Sequence, residues 1–165
     1  MNEHLVSELV ERAKRDQAMR LKALDNPFRW DDSVDRSNTK YLKQLLEIDG
    51  WPTISIVGEE ASQSAWLIAQ HADHDIEFQE RCLTLMQNLP EGEIKPANIA
   101  YLEDRIRVNK GLPQLYGSQF DGEGKSFGPR PIEDEAHVDE RRASIGLEPF
   151  AAYKAEMIER YTKKK

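Results

Sequence analysis

The sequence predicts a mainly α-helical domain of five to seven helices, interrupted by a small irregular or two-stranded segment around 112–132. Three observations carry that expectation. Ile54, Val57, Ala61, Ala65, Ile68 and Ala72 recur at intervals of 3, 4, 4, 3 and 4, which is one face of a helix. Phe78, Cys82, Leu85, Met86 and Leu89 repeat the pattern behind Asp75, a residue type that caps helix starts. Five of the nine glycines fall between Gly111 and Gly128, where the helical spacing disappears.

Taken in order, Glu3 to Leu24 reads as helix, with Leu5, Leu9 and Ala13 four apart and then Leu21 and Leu24. Asp25-Asn26-Pro27 ends it, because proline has no amide proton to continue the ladder. The polar run to Asn38 reads as a loop pinned to the body by Phe28 and Trp30. Thr39 to Ile48 is a short amphipathic helix with Tyr41, Leu42, Leu45, Leu46 and Ile48 inward, stopped by Asp49-Gly50. Trp51-Pro52 opens the next element. The small residues of the Ile54–Ala72 stripe predict close packing at the centre.

Pro90 to Lys95 is a turn, and Pro96 suits the first position of a helix running to about Lys110, with Ile99, Leu102 and Ile106 inward. Gln114–Phe120 and Ser126–Ile132 would form a small hairpin around Asp121-Gly122-Glu123-Gly124. Val138 to Ser144 resumes helix, with Gly146 as its cap. Pro149 opens a last helix with Phe150, Tyr153, Met157 and Tyr161 inward. The expected organisation is one domain over 1–165, its core at about 39–161, with 1–38 an N-terminal helix and loop packed on it.

Hydrophobic residues make up 39% and charged residues 32%, enough apolar content for a packed core. The net charge of −7 and a pI near 5.2 argue against general binding to nucleic acid or to an anionic membrane. Lys163-Lys164-Lys165 reads as a frayed helix end and not a basic patch. With Cys82 alone, neither an intramolecular disulfide nor a thiolate metal cluster can form. Nothing approaches the roughly 18 consecutive apolar residues of a membrane span. The start shows no basic region followed by an apolar stretch, so a cytoplasmic location is expected.

The chemistry concentrates in Gln70-His71-Ala72-Asp73-His74-Asp75. Histidines three apart near a helix end sit on neighbouring positions. His71 and His74 can supply an acid–base couple tuned by Asp73 or Asp75, since imidazole titrates near neutral pH. They can hold a divalent metal if another element brings a third ligand. They can also simply terminate a helix, where positive charge suits the dipole. No cofactor is expected.

Glu59, Gln63, Trp66 and Gln70 form a polar row along the long helix, with Trp51 just ahead of it. Asn98, Tyr101 and Arg105 make a second polar stripe, with Asp104 beside it. In Leu115-Tyr116-Gly117-Ser118-Gln119-Phe120, neutral hydrogen-bonding groups flank a glycine that lets backbone approach a ligand. The segment is neither a phosphate loop nor a serine-nucleophile elbow.

His74-Asp75 invites comparison with the HD phosphohydrolases, where His4 and Asp104 would have to serve as the distant partners. The ordered set Gly50-Trp51-Pro52-Thr53, Val57-Gly58-Glu59, Ala65-Trp66, Gln70 to Asp75 and Tyr116-Gly117-Ser118-Gln119 resembles a bacterial family of uncharacterised proteins. Pro131-Ile132-Glu133-Asp134 and Val138-Asp139-Glu140-Arg141-Arg142 extend the likeness, which covers roughly Tyr41 to Tyr153. It implies a choice of residues and no reaction.

The functional expectation is a small enzyme, hydrolase- or transferase-like, or a ligand-binding domain for a polar small molecule or peptide. His71, His74 and Glu59 are its catalytic candidates. Gln70, Asp73, Tyr116, Gln119, Trp51 and Arg105 are its ligand-binding candidates, and His71 and His74 would be the ligands of any metal. Two alternatives stand beside it: a non-catalytic, antitoxin- or immunity-like interaction protein, and a metal-dependent phosphohydrolase-like enzyme.

Overall fold

The computed structural model describes residues 3–162, so the Lys163–Lys165 run lies outside the described residues. The chain divides after Lys95 into two compact units. The described residues form eight α-helices, one of them a single turn, and one two-stranded antiparallel sheet, the mainly α class expected. No helix among them is long and apolar enough to cross a membrane.

The first unit holds α1 (Glu3–Asp25), α2 (Asp32–Ile48), α3 (Ile54–Val57), α4 (Glu59–Gln70) and α5 (Ile76–Gln87). Its centre is α4 packed against α1 and α2. The expected face is buried from Val57 onward, with Val57, Ala61, Ala65, Ile68 and Ala72 all at most 2% exposed. Short side chains there let α1 come close with Leu9, Ala13 and Met19. Leu42, Leu45 and Leu46 close the core from α2.

The Ile54–Ala72 stripe is one face but two helices. Gly58 separates them with φ 81° and ψ 166°, a conformation that side chains resist, and it caps the end of α3 and the start of α4 together. Nothing would touch a Cβ at Gly58, so glycine is required there by backbone alone. The turn at Pro90–Lys95 is tied to α3, since the Glu93 carbonyl accepts from Ile54 N and its carboxylate from Ser55 N and Oγ.

Three expectations for residues 26–48 are corrected. Helix α2 begins at Asp32, seven residues before Thr39, because the Asp31 carboxylate accepts from Ser33 N at 3.0 Å and caps it. Phe28 is not a pin, being 99% exposed, and Ile48 is exposed on the far side of α2 from Leu46. Trp30 is half exposed, and its ring lies 4.7 Å from the Arg20 guanidinium.

The second unit holds α6 (Pro96–Asn109), β1 (Phe120–Asp121), β2 (Gly128–Pro129), α7 (Val138–Ser144) and α8 (Phe150–Thr162). The expected hairpin shrinks to two pairs, Phe120 with Pro129 and Asp121 with Gly128. The ladder thins there: Pro129 and Pro131 cannot donate, and Arg130 N between them donates to the Gln119 carbonyl at 3.0 Å. The fully buried Gln114 amide takes its place, donating to the Gln119 and Arg130 carbonyls at 2.9 Å and accepting from Gln119 N at 2.7 Å. Gly146 (φ 74°) closes α7, with Leu147 N donating to the Arg142 carbonyl. Of the expected inward face of α8, Phe150 is buried, whereas Tyr161 is half exposed and stacks on Phe127 at 5.2 Å.

Candidate functional site

In the first unit the apolar stripe of α1 contains an acid. Leu9, Ala13 and Asp16 follow at intervals of four and three, so Asp16 is carried into the core and is 1% exposed. Arg20 stands one turn further on. Asp35 opens the buried stripe of α2 that continues through Asn38, Thr39 and Leu42. His71 is the residue at which α4 stops being helical (φ −96°, ψ 7°), its N–H still bonded to the Leu67 carbonyl. These four side chains meet.

His71 Nδ1 lies 2.9 Å from Asp16 Oδ2 and 3.0 Å from Oδ1. Arg20 Nε donates to the same carboxylate at 3.2 and 3.3 Å, and Gln17 Nε2 donates to Oδ2 at 2.8 Å. Arg20 Nη2 donates to Asp35 Oδ1 at 2.7 Å. Burial works to raise the Asp16 carboxyl, but the hydrogen bond from His71 and the charges of His71 and Arg20 outweigh it and hold Asp16 below its usual range. Asp35 goes the other way. Its burial outweighs the Arg20 charge, and the nearby Asp16 carboxylate adds to it, so Asp35 is pushed up to about 6.

An ionised Asp16 fixes the imidazole tautomer. A lone pair on Nδ1 would face a carboxylate at 2.9 Å, so Nδ1 carries the proton and donates it. Arg20 Nε also lies 3.0 Å from Nδ1. With Nδ1 protonated, that contact is two N–H groups converging on one carboxylate. The basic lone pair of the neutral ring is therefore on Nε2. The side chain of His71 is 14% exposed, against 1% for Asp16, so the carboxylate is sealed and the ring is only partly covered.

The other expected site residues lie elsewhere. His74 is exposed in the turn after α4, where its charge helps lower Asp75 behind the Lys43 hydrogen bond. The chain leaves helical geometry at His71, so the helical neighbour relation between the two histidines does not form. Asp73 is exposed and accepts from Gln79 Nε2 at 3.3 Å. Gln79 is fully buried and also donates to the Ala69 and Gln70 carbonyls, capping the end of α4. Gln70 and Trp51 are buried.

Glu59 is exposed at the start of α4 and pairs with Lys95 at 2.5 Å. Twelve positions at 1.5 Å each put it about 18 Å from His71, so it does not join the cluster. Among the described residues no three His, Cys, Asp or Glu side chains are gathered as a metal ion would need. Burial pushes the Cys82 thiol up to about 12, and Cys82 serves as a core side chain.

Arg105, Tyr116 and Gln119 belong to the second unit. There the fully buried Asp104 accepts from Leu115 N (2.6 Å), Tyr116 N (3.0 Å), Ser118 N (2.9 Å) and Ser118 Oγ (2.8 Å). Gln119 Nε2 donates to Ser118 Oγ at 3.0 Å, and its Oε1 accepts from Arg105 Nη1 at 3.2 Å. The fully buried Arg142 donates to the Tyr116 carbonyl at 2.7 Å and stacks its guanidinium 4.9 Å from the Tyr153 ring. At Gly117 (φ 72°) an added Cβ would meet the Phe150 ring at 2.6 Å. Together these contacts strap the Tyr116–Gln119 segment to its own unit.

Asp16, Arg20 and Asp35 were missed in the sequence, although a signal for the first existed: an acid at a core position of a heptad-like stripe. Asp35 stands in a segment whose polar composition resembles a loop.

A mainly α protein with a buried aspartate paired to a histidine, Asp16 and His71, is what the fold and the contacts define. The chain belongs to a family of unknown function, DUF6624, whose family model spans residues 4–165. It matches no curated protein and no solved structure.

Proposed function

We propose that the first unit carries a ligand or catalytic site centred on His71, which acts as an acid–base group on a polar small molecule or peptide. The observation that supports it most is the 2.9 Å contact between His71 Nδ1 and an ionised, sealed Asp16. A carboxylate on Nδ1 fixes the ring, selects the tautomer with a basic Nε2, and stabilises the imidazolium formed when Nε2 takes a proton. His71 and, behind it, Arg20 keep Asp16 ionised, and Arg20 ties it to α2 through Asp35.

The test uses the full chain against p-nitrophenyl esters, p-nitrophenyl phosphate and chromogenic peptides. Turnover in the wild type should fall by roughly a hundredfold or more in His71→Gln and Asp16→Asn, the usual worth of a positioned acid–base group. The melting temperature of His71→Gln should stay near that of the wild type. Turnover that survives His71→Gln unchanged contradicts the proposal.

A second reading, a protein-interaction surface, is supported by the exposed apolar side chains at the end of α1. Leu21 (59% exposed), Leu24 (60%) and Phe28 (99%) stand there with half-exposed Trp30. Leu21 also lines an open groove of about 340 Å³ with Val10, Ala13 and Ala18. This reading needs no part from His71.

A further inference from the structure

We infer that Asp35 is a positioning residue of the His71 site, holding through Arg20 the one exchangeable proton of the cluster and releasing it when His71 is protonated. The inference rests on the acid–base reading of His71. Asp16 and Asp35 are two carboxylates, both buried, and among the described residues Arg20 is the permanent cation seen to bond both. With His71 neutral and both acids ionised, the cluster carries one net negative charge in a site largely shut off from water. A single proton brings it to zero. Burying an uncompensated charge is costly, so one proton should stay in the cluster.

That proton has two places to sit. Asp16 is the poorer acceptor, because it already receives Gln17, Arg20 and the His71 Nδ1–H. Asp35 receives Arg20 Nη2 on Oδ1. Burial, the larger influence, and the nearby Asp16 charge both favour its protonated form. The other place is His71 Nε2.

When His71 takes a proton from a ligand group X–H, imidazole becomes imidazolium and X–H becomes X⁻. The cluster then stays neutral only if the Asp35 carboxyl gives its proton to solvent and becomes carboxylate. Charge and protons balance in that exchange. Arg20 links the two events, since its guanidinium bonds Asp35 on one side and Asp16, the partner of His71, on the other.

Three charged groups on the surrounding elements are engaged in other contacts. Arg12 of α1 pairs with Glu8 and donates to Ser37 and Asn38 of α2. Lys43 of α2 pairs with Asp75 at the start of α5. Asp32 accepts from Trp30 Nε1, on the side where the Trp30 ring covers Arg20.

The test follows the Asp35 carboxyl carbon and the His71 ring nitrogens by NMR between pH 4 and 8, in the wild type, Asp35→Asn and Asp35→Glu. In the wild type the His71 curve should show a second inflection where Asp35 titrates. In Asp35→Asn that inflection should vanish, and His71 should bind its proton roughly tenfold less tightly, having lost a nearby negative charge. Asp35→Glu should restore both. A structural ion-pair partner would shift the melting temperature and leave the His71 curve alone. A wild-type His71 curve with no inflection at the Asp35 transition overturns the inference, and it does so whichever way the turnover assay falls. Coupled curves in a protein whose ligand response ignores His71 support the proton exchange and overturn the catalytic reading instead.

Discussion

Each unit buries a carboxylate completely, and the two are satisfied in different ways. Asp104 in the second unit is met by three backbone N–H groups and one hydroxyl. None of those donors can change its charge, and all belong to the segment that Asp104 holds in place. Asp16 in the first unit is met by an imidazole, a guanidinium and an amide, all on side chains. One of those partners is an imidazole, a side chain that can exist neutral or protonated, and behind them stands a second acid with its proton affinity raised. A carboxylate among fixed donors builds architecture. One among titratable partners keeps a choice of charge states, which is what acid–base chemistry requires.

The largest effect should come from breaking the architectural acid. Asp104→Ala strands buried N–H groups of Leu115, Tyr116 and Ser118 and should cost about 3–5 kcal/mol, seen as early unfolding of the second unit in urea. Asp16→Asn should cost less, about 1–3 kcal/mol, because Arg20 keeps Asp35 and the amide can still accept. If the two losses come out equal, the distinction between the two acids fails.

Sharpening the contrast takes pH. A carboxyl raised to about 6 in the folded chain, against 3.8 unfolded, keeps its proton after the unfolded state has lost one. Its contribution is full below about pH 4 and is lost as pH rises through 6. Asp16 has the opposite sign, since its lowered value makes its contribution fade as pH falls below about 4. Asp35→Asn should therefore flatten the decline in stability between pH 4 and 6.5, a difference of roughly 1–3 kcal/mol in denaturant titrations across that window. The smallest effect is expected from Phe28→Ser, within about 0.5 kcal/mol, because that ring is 99% exposed.

Much of this molecule was legible in its sequence. The stripes that became α4 and α5, the Asp75 cap, Pro96 at the start of α6 and Gly146 at the end of α7 are local signals. Each was read from neighbours a few residues away. His71 was legible as a chemical group. Its partners were not, because Asp16 and Asp35 lie 55 and 36 positions upstream and meet it only through the packing of α1 and α2 on α4. Asp35 was concealed twice over: its segment is polar enough to pass for loop, and the cap that starts its helix is one aspartate among several. The Tyr116–Gln119 segment shows the converse. Its polar, glycine-containing composition reads as a place where backbone approaches a ligand, and its hydrogen bonds tie it to the buried Asp104, Gln114 and Arg142.

The central claim is that an ionised Asp16 holds the His71 ring with its proton on Nδ1 and its basic lone pair on Nε2. Long-range proton–nitrogen correlation spectra of the full chain report that tautomer directly, at a pH where the ring is neutral. The expected result is an Nδ1–H tautomer in the wild type and a mixture in Asp16→Asn. A wild-type ring protonated on Nε2 would mean that Asp16 does not orient it, and His71 would lose its standing as the base of this site.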